Sequence, residues 1–270
     1  MNYLPKNLNF KEGIAYIGET SLTDVAKNYG TPLYVYDWEH LKGNIDAFTE
    51  AFGKDALFRY AAKAFISKAL VKELEEKGWG VDVVSGGEMA TVQETVGTLE
   101  NTVFNGTFKR TDEIEYFIQN NGGHISIDNR YEIEMLEKAA SSLKKKQPVI
   151  MRINLDVGAE THPMVLTSGY DQQFGISISF AEEALNQIAS SKSLLFSGIH
   201  VHIGSQIKDP ERYKLAMSSC SEFMNSNLEK VEGEAVFNAG GGFFSPYAGE
   251  EVDHELSVYS KAIHDGIKEH

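Results

Sequence analysis

Residues 80–97, GVDVVSGGEMATVQETVG, combine a predicted strand with a predicted helix, and the fold class follows from this alternation. The first part, VDVVS, is a short valine-rich run of the kind that forms a buried strand. Ser85 then provides a helix N-cap, and Gly97 closes the helical segment, because glycine readily adopts the left-handed conformation found after helices. A strand that leads directly into a helix predicts a parallel sheet with right-handed crossovers.

The same alternation continues along most of the chain, so the predicted fold class is α/β. The predicted strands are residues 33–37, 57–64, 81–85, 102–106, 124–128, 149–154, 196–204 and 235–241. Such strands can form an open doubly wound sheet or a (β/α)8 TIM barrel. Polar residues or glycines lie at strand ends: Lys63, Ser85, Asn105, Asp128, Asn154, His202 and Gly240. This pattern favours the barrel, in which the active-site residues lie at the carboxyl ends of the strands.

The N-terminal part of the chain departs from this alternation. Residues 9–37 are interpreted as a lead-in from another sheet, followed by a short helix and one strand. That interpretation leaves seven strands for the barrel, which then lacks its last strand. The sequence therefore predicts a segment of a second β-domain, otherwise absent, at residues 1–30 and an incomplete barrel at residues 31–270.

Composition excludes several classes of protein. With 39 acidic and 25 basic residues the formal net charge is −14, which argues against nucleic-acid binding because that needs concentrated positive charge. No run of about 18 apolar residues predicts a membrane-spanning helix, and the N-terminus lacks the apolar segment of a secretory signal. The single cysteine, Cys220, excludes an intrachain disulfide and fits a cytoplasmic location.

The stretch RYAAKAF, residues 59–65, places a lysine near the end of an apolar strand. Lys63 shares a strand face with Ala61 and Phe65, so we expect it to point into the barrel mouth. Desolvation there would lower its pKa and make it a nucleophile toward a carbonyl group. The alternative is a lysine that reaches from the strand end into water, and taken alone the position favours that alternative.

The stretch IHVHIGSQ, residues 199–206, places His200 and His202 on one strand face. A metal site would need further ligands, for which the candidates are His124, His162 and Asp128. A cofactor site would instead use one imidazole flat against a planar ring and Ser205 as a phosphate ligand. A buried strand with one hydrogen-bonded histidine is the structural alternative. Spacing alone leaves the metal and cofactor interpretations about equal.

Two further turns carry glycines and carboxylates. FNAGGGFF, residues 237–244, exposes successive backbone N–H groups, which suits a phosphate, although a flexible turn has the same pattern. GVDVVSGGE places Asp82 and Glu88 around a turn that leads into a helix. A carboxylate beneath a protonated ring nitrogen is one possible role, and helix capping is the other.

Taken together, these features favour one interpretation more strongly than any of them does alone. A strand lysine, a stacking histidine, a serine and a glycine turn are what pyridoxal 5′-phosphate requires. The lysine forms the Schiff base, the ring is the electron sink, and the protein holds the phosphate. Pyridoxal 5′-phosphate is therefore the predicted cofactor, and no metal is predicted.

At this point the sequence resembles the diaminopimelate decarboxylases, which belong to the alanine-racemase-like (fold-type III) group of pyridoxal-phosphate enzymes. The matching pieces run in family order: YGTPLYVYD, YAAKAF, GVDVVSGGE, THPMVLTSGYDQQFGI, HVHIGSQI and NAGGGF. The resemblance begins at about Gly13 and covers nearly the whole chain. The segment THP…SG…FGI, from His162 to Ile176, is the piece that separates this family from ornithine and arginine decarboxylases.

The resemblance implies a role for each matching residue. Lys63 would be the Schiff-base lysine, and His202 would stack on the pyridine ring. The phosphate would be held by four residues: Ser205, Gly240, Gly241 and Gly242. Three more match positions near the cofactor: Asp82, Glu88 and Arg152. The THPM loop would lie near the substrate.

The resemblance also implies an activity, namely decarboxylation of meso-2,6-diaminopimelate to L-lysine in lysine biosynthesis. The partner would be a small amino-acid substrate, and the full-length family forms homodimers. Three alternatives stay open. They are a decarboxylase of another basic amino acid or polyamine precursor (ornithine, arginine or carboxynorspermidine), a non-catalytic decarboxylase fragment, and a metal-dependent barrel hydrolase.

Two departures from the family pattern matter. Phe65 stands where asparagine is frequent, which we interpret as variation. More seriously, the family continues with a last barrel strand bearing Glu-Pro-Gly-Arg and with a β-domain, and neither is found before His270. Because a missing strand leaves two unpaired edges, we expect these 270 residues alone to fold poorly or to bind the cofactor weakly.

Overall fold

A small antiparallel sheet precedes the main body of the protein. The computed structural model describes residues 7–155, 174–246 and 255–268. The first three strands form a meander and are followed by a helix: β1 (Leu8–Lys11), β2 (Ile14–Ile17), β3 (Thr20–Ser21) and α1 (Leu22–Tyr29). This meander does not share a sheet with any later described strand. Its assignment to a second β-domain stays a prediction.

The main sheet is parallel, and its strands lie side by side in chain order. Its seven principal strands are β4 (Arg59–Ala61), β5 (Gly80–Val83), β6 (Thr102–Phe104), β7 (His124–Ile127), β8 (Gln147–Asn154), β10 (Leu194–His200) and β11 (Val236–Asn238). The short strand β9 (Ile176–Ser177) pairs with the end of β8. A doubly wound sheet would reverse its strand order at a switch point. The sequential order therefore confirms the barrel-type fold, with seven principal strands among the described residues.

Helices cover the outside of this sheet. They are α2 (Trp38–Phe52), α3 (Lys68–Glu76), α4 (Gly86–Val96), α5 (Thr111–Gln119), α6 (Arg130–Ser142), α7 (Ile178–Ser190), α8 (Glu211–Asn225) and α9 (Leu256–Lys268). Their apolar residues recur at helical spacing and face the sheet, as Ile114, Phe117 and Ile118 of α5 do. The Ser85 hydroxyl accepts the Glu88 N–H, which confirms the predicted N-cap. The core thus lies between the strands and the helix layer.

The sheet curls so that its two edges approach each other. Phe48 and Phe52 of α2, which precedes the edge strand β4, pack against Phe243, which follows the opposite edge strand β11. The ring centroids are 5.8 and 5.5 Å apart. Among the described strands, β4 and β11 each pair with a single neighbour. The sheet is therefore an open, barrel-like arc.

The predicted strand at residues 33–37 is wrong. These residues have no regular secondary structure and pair with no described strand, and Tyr34 is 92% exposed. Asp37 already serves as the N-cap of α2, with its carboxylate accepting the His40 N–H. An aromatic and β-branched run favours a strand only where a neighbouring strand can pair with it, and none does so here. In the part of the chain that the structure describes, no helix has the length and apolar character needed to cross a bilayer.

Candidate active site

Lys63 lies two residues beyond the end of the strand on which it was predicted. β4 ends at Ala61, and a 3₁₀ turn (Ala62–Ala64) carries the lysine past the carboxyl end of the sheet. Its side chain is exposed, so the expected desolvation inside a strand is wrong. The ammonium group has no hydrogen bond or ion pair with any described residue. Its charge nevertheless lowers the pKa values of Asp82 and His202, which places the three groups within electrostatic reach.

Asp82 lies at the same end of the sheet, on β5. Its carboxylate accepts a hydrogen bond from the Asn105 side-chain amide at 3.0 Å. Burial raises the pKa of Asp82 to about 6, although the hydrogen bond from Asn105 and the charges of Lys63 and Arg152 oppose the shift. Asp82 can therefore exchange a proton near neutral pH, as buried carboxylates at functional sites do.

Glu88 holds the turn that follows β5. Its carboxylate accepts the Val84 backbone N–H at 2.6 Å, and its own backbone N–H donates the capping hydrogen bond to the Ser85 hydroxyl. The capping interpretation of this carboxylate therefore agrees with its contacts. The charge of Glu88 also raises the pKa of Asp82, so the two carboxylates are electrostatically coupled.

Arg152 projects from β8 into the site. Its guanidinium donates to Asp128, at the end of β7, over 2.9 Å. Only 13% of the Arg152 side chain and 3% of the Asp128 side chain are exposed. The guanidinium also lies over the Phe174 ring, 5.1 Å from its centroid. Arg152 is thus anchored by one ion pair and one ring, and its charge lowers the pKa values of Asp82 and His202.

A buried ion pair next to Asp128 is not apparent from the sequence. Lys109 donates to Glu132 at 2.9 Å and to the Gly106 carbonyl at 2.7 Å. The same Glu132 oxygen accepts the Asp128 backbone N–H at 2.9 Å. Burial lowers the pKa of Lys109 and raises that of Glu132, while their mutual attraction opposes both shifts. Lys109 lies in a loop without periodicity, so no sequence pattern could have shown its burial.

The two histidines have separate environments. His200 is fully enclosed in β10, and its Nδ1 lies 2.9 Å from the Ser126 hydroxyl. His202 lies beyond the strand end, where burial lowers its pKa to about 4 and keeps the imidazole uncharged at neutral pH. Among residues 7–155, 174–246 and 255–268, no three histidine, cysteine or acidic side chains are placed to hold a metal ion. The metal alternative is therefore not supported by the described residues, while His162 lies outside them.

The glycine turn folds against the segment that follows β10. The Ile207 N–H donates to the Gly242 carbonyl at 2.9 Å, and the Gly241 N–H faces His202 Nδ1 at 3.5 Å. Gly240 and Gly242 have φ values of +71° and +90°, which favour glycine. A Cβ on Gly242 would lie 1.9 Å from the Gly204 carbonyl oxygen, whereas one on Gly241 would enter open space. The turn is therefore closely packed on both sides of one open position.

Ser205 follows Gly204, whose carbonyl packs against Gly242 of the glycine turn. It is exposed, and its hydroxyl has no hydrogen-bond partner among the described residues. The structure thus brings His202, Ser205 and the glycine turn together. The charges of Lys63 and Arg152 lie within electrostatic reach of both Asp82 and His202. The THPM loop lies outside the described residues, so its predicted place near the substrate stays a prediction.

Comparisons with known proteins identify a family model and several relatives that match this chain. Residues 39–270 match the family model "Pyridoxal-dependent decarboxylase, pyridoxal binding domain". Diaminopimelate decarboxylase of Aquifex aeolicus is 32% identical over 97% of this chain and 63% of its own length. That of Zymomonas mobilis is 36% identical over 94% of this chain and 62% of its own length.

A solved structure shows the same fold. The crystal structure of diaminopimelate decarboxylase from M. jannaschii in complex with L-lysine superposes with a TM-score of 0.88 and 28% identity, covering 98% of this chain and 63% of that chain. The resemblance predicted from the sequence is confirmed. The chain spans about 60% of the length of the curated relatives that it matches. Since the family model covers most of the chain, the protein belongs to the pyridoxal-dependent decarboxylases and contains their pyridoxal binding domain.

Proposed function

We propose that this chain is the cofactor-binding part of a decarboxylase that converts meso-2,6-diaminopimelate to L-lysine. The observation that carries the proposal is the convergence of Lys63, Asp82 and His202 at the carboxyl ends of β4, β5 and β10, where the charge of Lys63 acts on both other groups. The similarity to diaminopimelate decarboxylases supports the substrate, and the lysine-bound relative supports the product.

The residues at the site fit pyridoxal 5′-phosphate. Three groups that this cofactor would engage have no hydrogen-bond partner among the described residues: the Lys63 ammonium, the Ser205 hydroxyl and the Gly242 N–H. The turn also leaves open space at Gly241, where a side chain would otherwise stand. An amine without a partner and a set of free donors beside a glycine turn suit an aldehyde that carries a phosphate.

When bound, pyridoxal phosphate supplies a ring that accepts the electron pair released as carbon dioxide leaves. Lys63 would bind the cofactor through Nζ. His202, uncharged because its pKa is about 4, would offer a flat face to the ring without placing a second positive charge beside it. Ser205 and residues 240–242 would hold the phosphate.

Further acidic and basic side chains of the site would have orienting roles. Asp82, whose pKa is raised to about 6, can hold or release a proton on its carboxyl oxygens near neutral pH. Arg152 would keep its direction through Asp128, and Glu88 would keep the turn after β5 in place through the Val84 N–H. We further propose a cytoplasmic homodimer, with residues 1–30 belonging to a second β-domain.

Trapping of the cofactor tests the binding part of the proposal. The protein is mixed with excess pyridoxal 5′-phosphate, reduced with borohydride and digested, and the peptide that carries the added mass is identified. We expect the label on Lys63 and none in Lys63→Ala. Lys68→Ala is the matched control, because Lys68 is an exposed lysine of the same segment paired with Glu94 at 2.7 Å. Labelling that is equal in both variants would contradict the proposal.

Turnover assays test the substrate. Carbon dioxide release from meso-diaminopimelate is compared with release from ornithine, arginine and carboxynorspermidine under identical conditions. We expect meso-diaminopimelate to be preferred. A preference for any of the other three would reassign the substrate within the same chemistry.

A further inference from the structure

Tyr213 of α8 is buried behind the glycine turn. Its hydroxyl donates a hydrogen bond to the Gly241 carbonyl oxygen at 3.0 Å. The ring is 1% exposed, stacks on Phe243 with centroids 5.1 Å apart, and meets Tyr259 edge to face at 5.7 Å. Burial raises the pKa of Tyr213, so the hydroxyl stays protonated and remains a donor. The position of this donor is therefore set by packing on two aromatic rings.

This hydrogen bond determines the direction of a neighbouring backbone donor. The Gly241 carbonyl and the Gly242 N–H belong to the same planar trans peptide unit, in which the two groups point in opposite directions. Because Tyr213 draws the carbonyl toward α8, the Gly242 N–H must point away from α8. That N–H donates to no described residue. A donor turned away from the core without a protein partner is available to a ligand.

The other side of Gly242 is also fixed. Its own carbonyl accepts the Ile207 N–H at 2.9 Å, and the bare α-carbon lies against the Gly204 backbone. The turn cannot rotate about Gly242 without breaking one of these contacts. The Tyr213 hydroxyl supplies the constraint on the peptide between Gly241 and Gly242, which carries the free N–H.

We propose that Tyr213 is a positioning residue that aims the Gly242 N–H at the phosphate of the cofactor. This inference rests on the proposed function, because it assumes that the glycine turn binds the phosphate of pyridoxal 5′-phosphate. Tyr213 touches neither cofactor nor substrate. Tyr213 favours binding of the phosphate group because it fixes the orientation of the peptide between Gly241 and Gly242.

The test compares the cofactor with its phosphate-free analogue. Dissociation constants of pyridoxal 5′-phosphate and pyridoxal are measured by absorbance titration for the unmodified protein and for Tyr213→Phe. Phenylalanine keeps the ring packing and removes only the hydroxyl. We expect affinity for pyridoxal 5′-phosphate to fall about tenfold, the size of one hydrogen bond to a charged group, and affinity for pyridoxal to stay unchanged.

Tyr259→Phe is the matched control. The Tyr259 hydroxyl also donates to backbone carbonyls from within the same aromatic cluster, reaching Ile207 at 2.9 Å and Lys208 at 3.2 Å. Those carbonyls lie outside the glycine turn. We expect both variants to lower Tm by similar amounts, whereas only Tyr213→Phe should change the ratio of the two affinities.

The outcomes separate the two proposals. If the unmodified protein binds no pyridoxal 5′-phosphate, the proposed function and this inference both fail. If the unmodified protein binds it and Tyr213→Phe leaves the affinity ratio unchanged, the inference alone is overturned. An equal change of the ratio in Tyr259→Phe would likewise overturn it, because the effect would then come from the aromatic cluster as a whole.

Discussion

The floor and the rim of the candidate site differ in whether their polar groups have protein partners. In the floor, Lys109, Glu132, Asp128 and Arg152 are nearly inaccessible, and hydrogen bonds or ion pairs connect them in a chain. On the rim, the Lys63 ammonium and the Gly242 N–H have no partner among the described residues. A buried polar group loses its hydrogen bonds to water and needs a fixed protein partner instead. An exposed polar group on the rim keeps its water until a ligand replaces it.

The difference indicates where structure is maintained and where binding takes place. A buried charge without its partner is costly, so a change in the floor is expected to act first on stability. An exposed donor costs little when no ligand is present, so a change on the rim is expected to act first on binding. Variants in the two regions therefore test this difference.

The largest effect on stability is expected from the floor. Lys109→Met removes the cation and leaves the Glu132 carboxylate, 4% exposed, without its ion-pair partner. We expect the free energy of unfolding to fall by about 3–5 kcal/mol, measured by urea denaturation.

The control for this variant is an exposed ion pair. Lys68→Met removes the cation from the Lys68–Glu94 pair, in which both side chains are 63% exposed, and should cost less than about 1 kcal/mol. Equal losses of unfolding free energy in the two variants would show that the buried ion pair contributes no more to stability than the exposed one.

Adjacent glycines on the rim should respond differently to alanine. In Gly242→Ala the new Cβ would meet the Gly204 backbone at φ +90°, so we expect a loss of roughly 2–4 kcal/mol in unfolding free energy. In Gly241→Ala the Cβ enters open space, so stability should change little while cofactor binding weakens. Denaturation and absorbance titration measure the two quantities. If Gly241→Ala bound the cofactor normally, the open space would not be the phosphate site.

Asp82 and His202 should give pH dependences of opposite sign. Asp82 has a pKa raised from 3.8 to about 6, so the folded protein holds a proton that the unfolded chain releases, and this contribution to stability is lost as pH rises through 6. Asp82→Asn should therefore gain stability relative to the unmodified protein between pH 4 and 6.5, on the order of 2 kcal/mol.

His202 provides the opposite slope. Its pKa is lowered to about 4, so the unfolded chain binds the proton first, and the contribution of His202 to stability is lost as pH falls toward 4. The stability of His202→Gln relative to the unmodified protein should therefore decline as pH rises from 4 to 6.5. Urea denaturation at several pH values measures both slopes, and slopes of equal sign would contradict the assigned environments.

The smallest effect on stability is expected at Lys63. The side chain is exposed and has no described partner, so Lys63→Ala should change the unfolding free energy by less than about 0.5 kcal/mol. The same variant should lose the borohydride-trapped adduct completely. A large loss of stability would mean that Lys63 supports the fold rather than the cofactor.

Local patterns in the sequence were sufficient for the architecture. The Ser85 cap and the short apolar runs predicted alternating strands and helices, and the sheet has its seven principal strands in chain order. The run at residues 33–37 shows the limit of such patterns. It has strand-forming residues, but pairing depends on a neighbouring strand that a local pattern cannot reveal.

The candidate site was predictable where residue chemistry is unusual for its position. Lys63, His202 and the successive glycines stand out because lysine, histidine and bare backbone are uncommon at the ends of apolar strands. Lys109 and Tyr213 do not stand out, because nothing in their local sequence distinguishes a buried lysine or tyrosine from an exposed one. Their roles depend on contacts with residues 23 and 28 positions away.

Periodicity and local composition were therefore enough for the fold class and for the residue types available for cofactor chemistry. The order of the strands, the burial of those residues, the pairing of the charges and the donors without a partner among the described residues followed only from three-dimensional packing. Burial and electrostatic reach depend on how segments far apart in the chain pack together. At the same sheet end, packing made His200 a buried strand residue and left His202 facing the glycine turn.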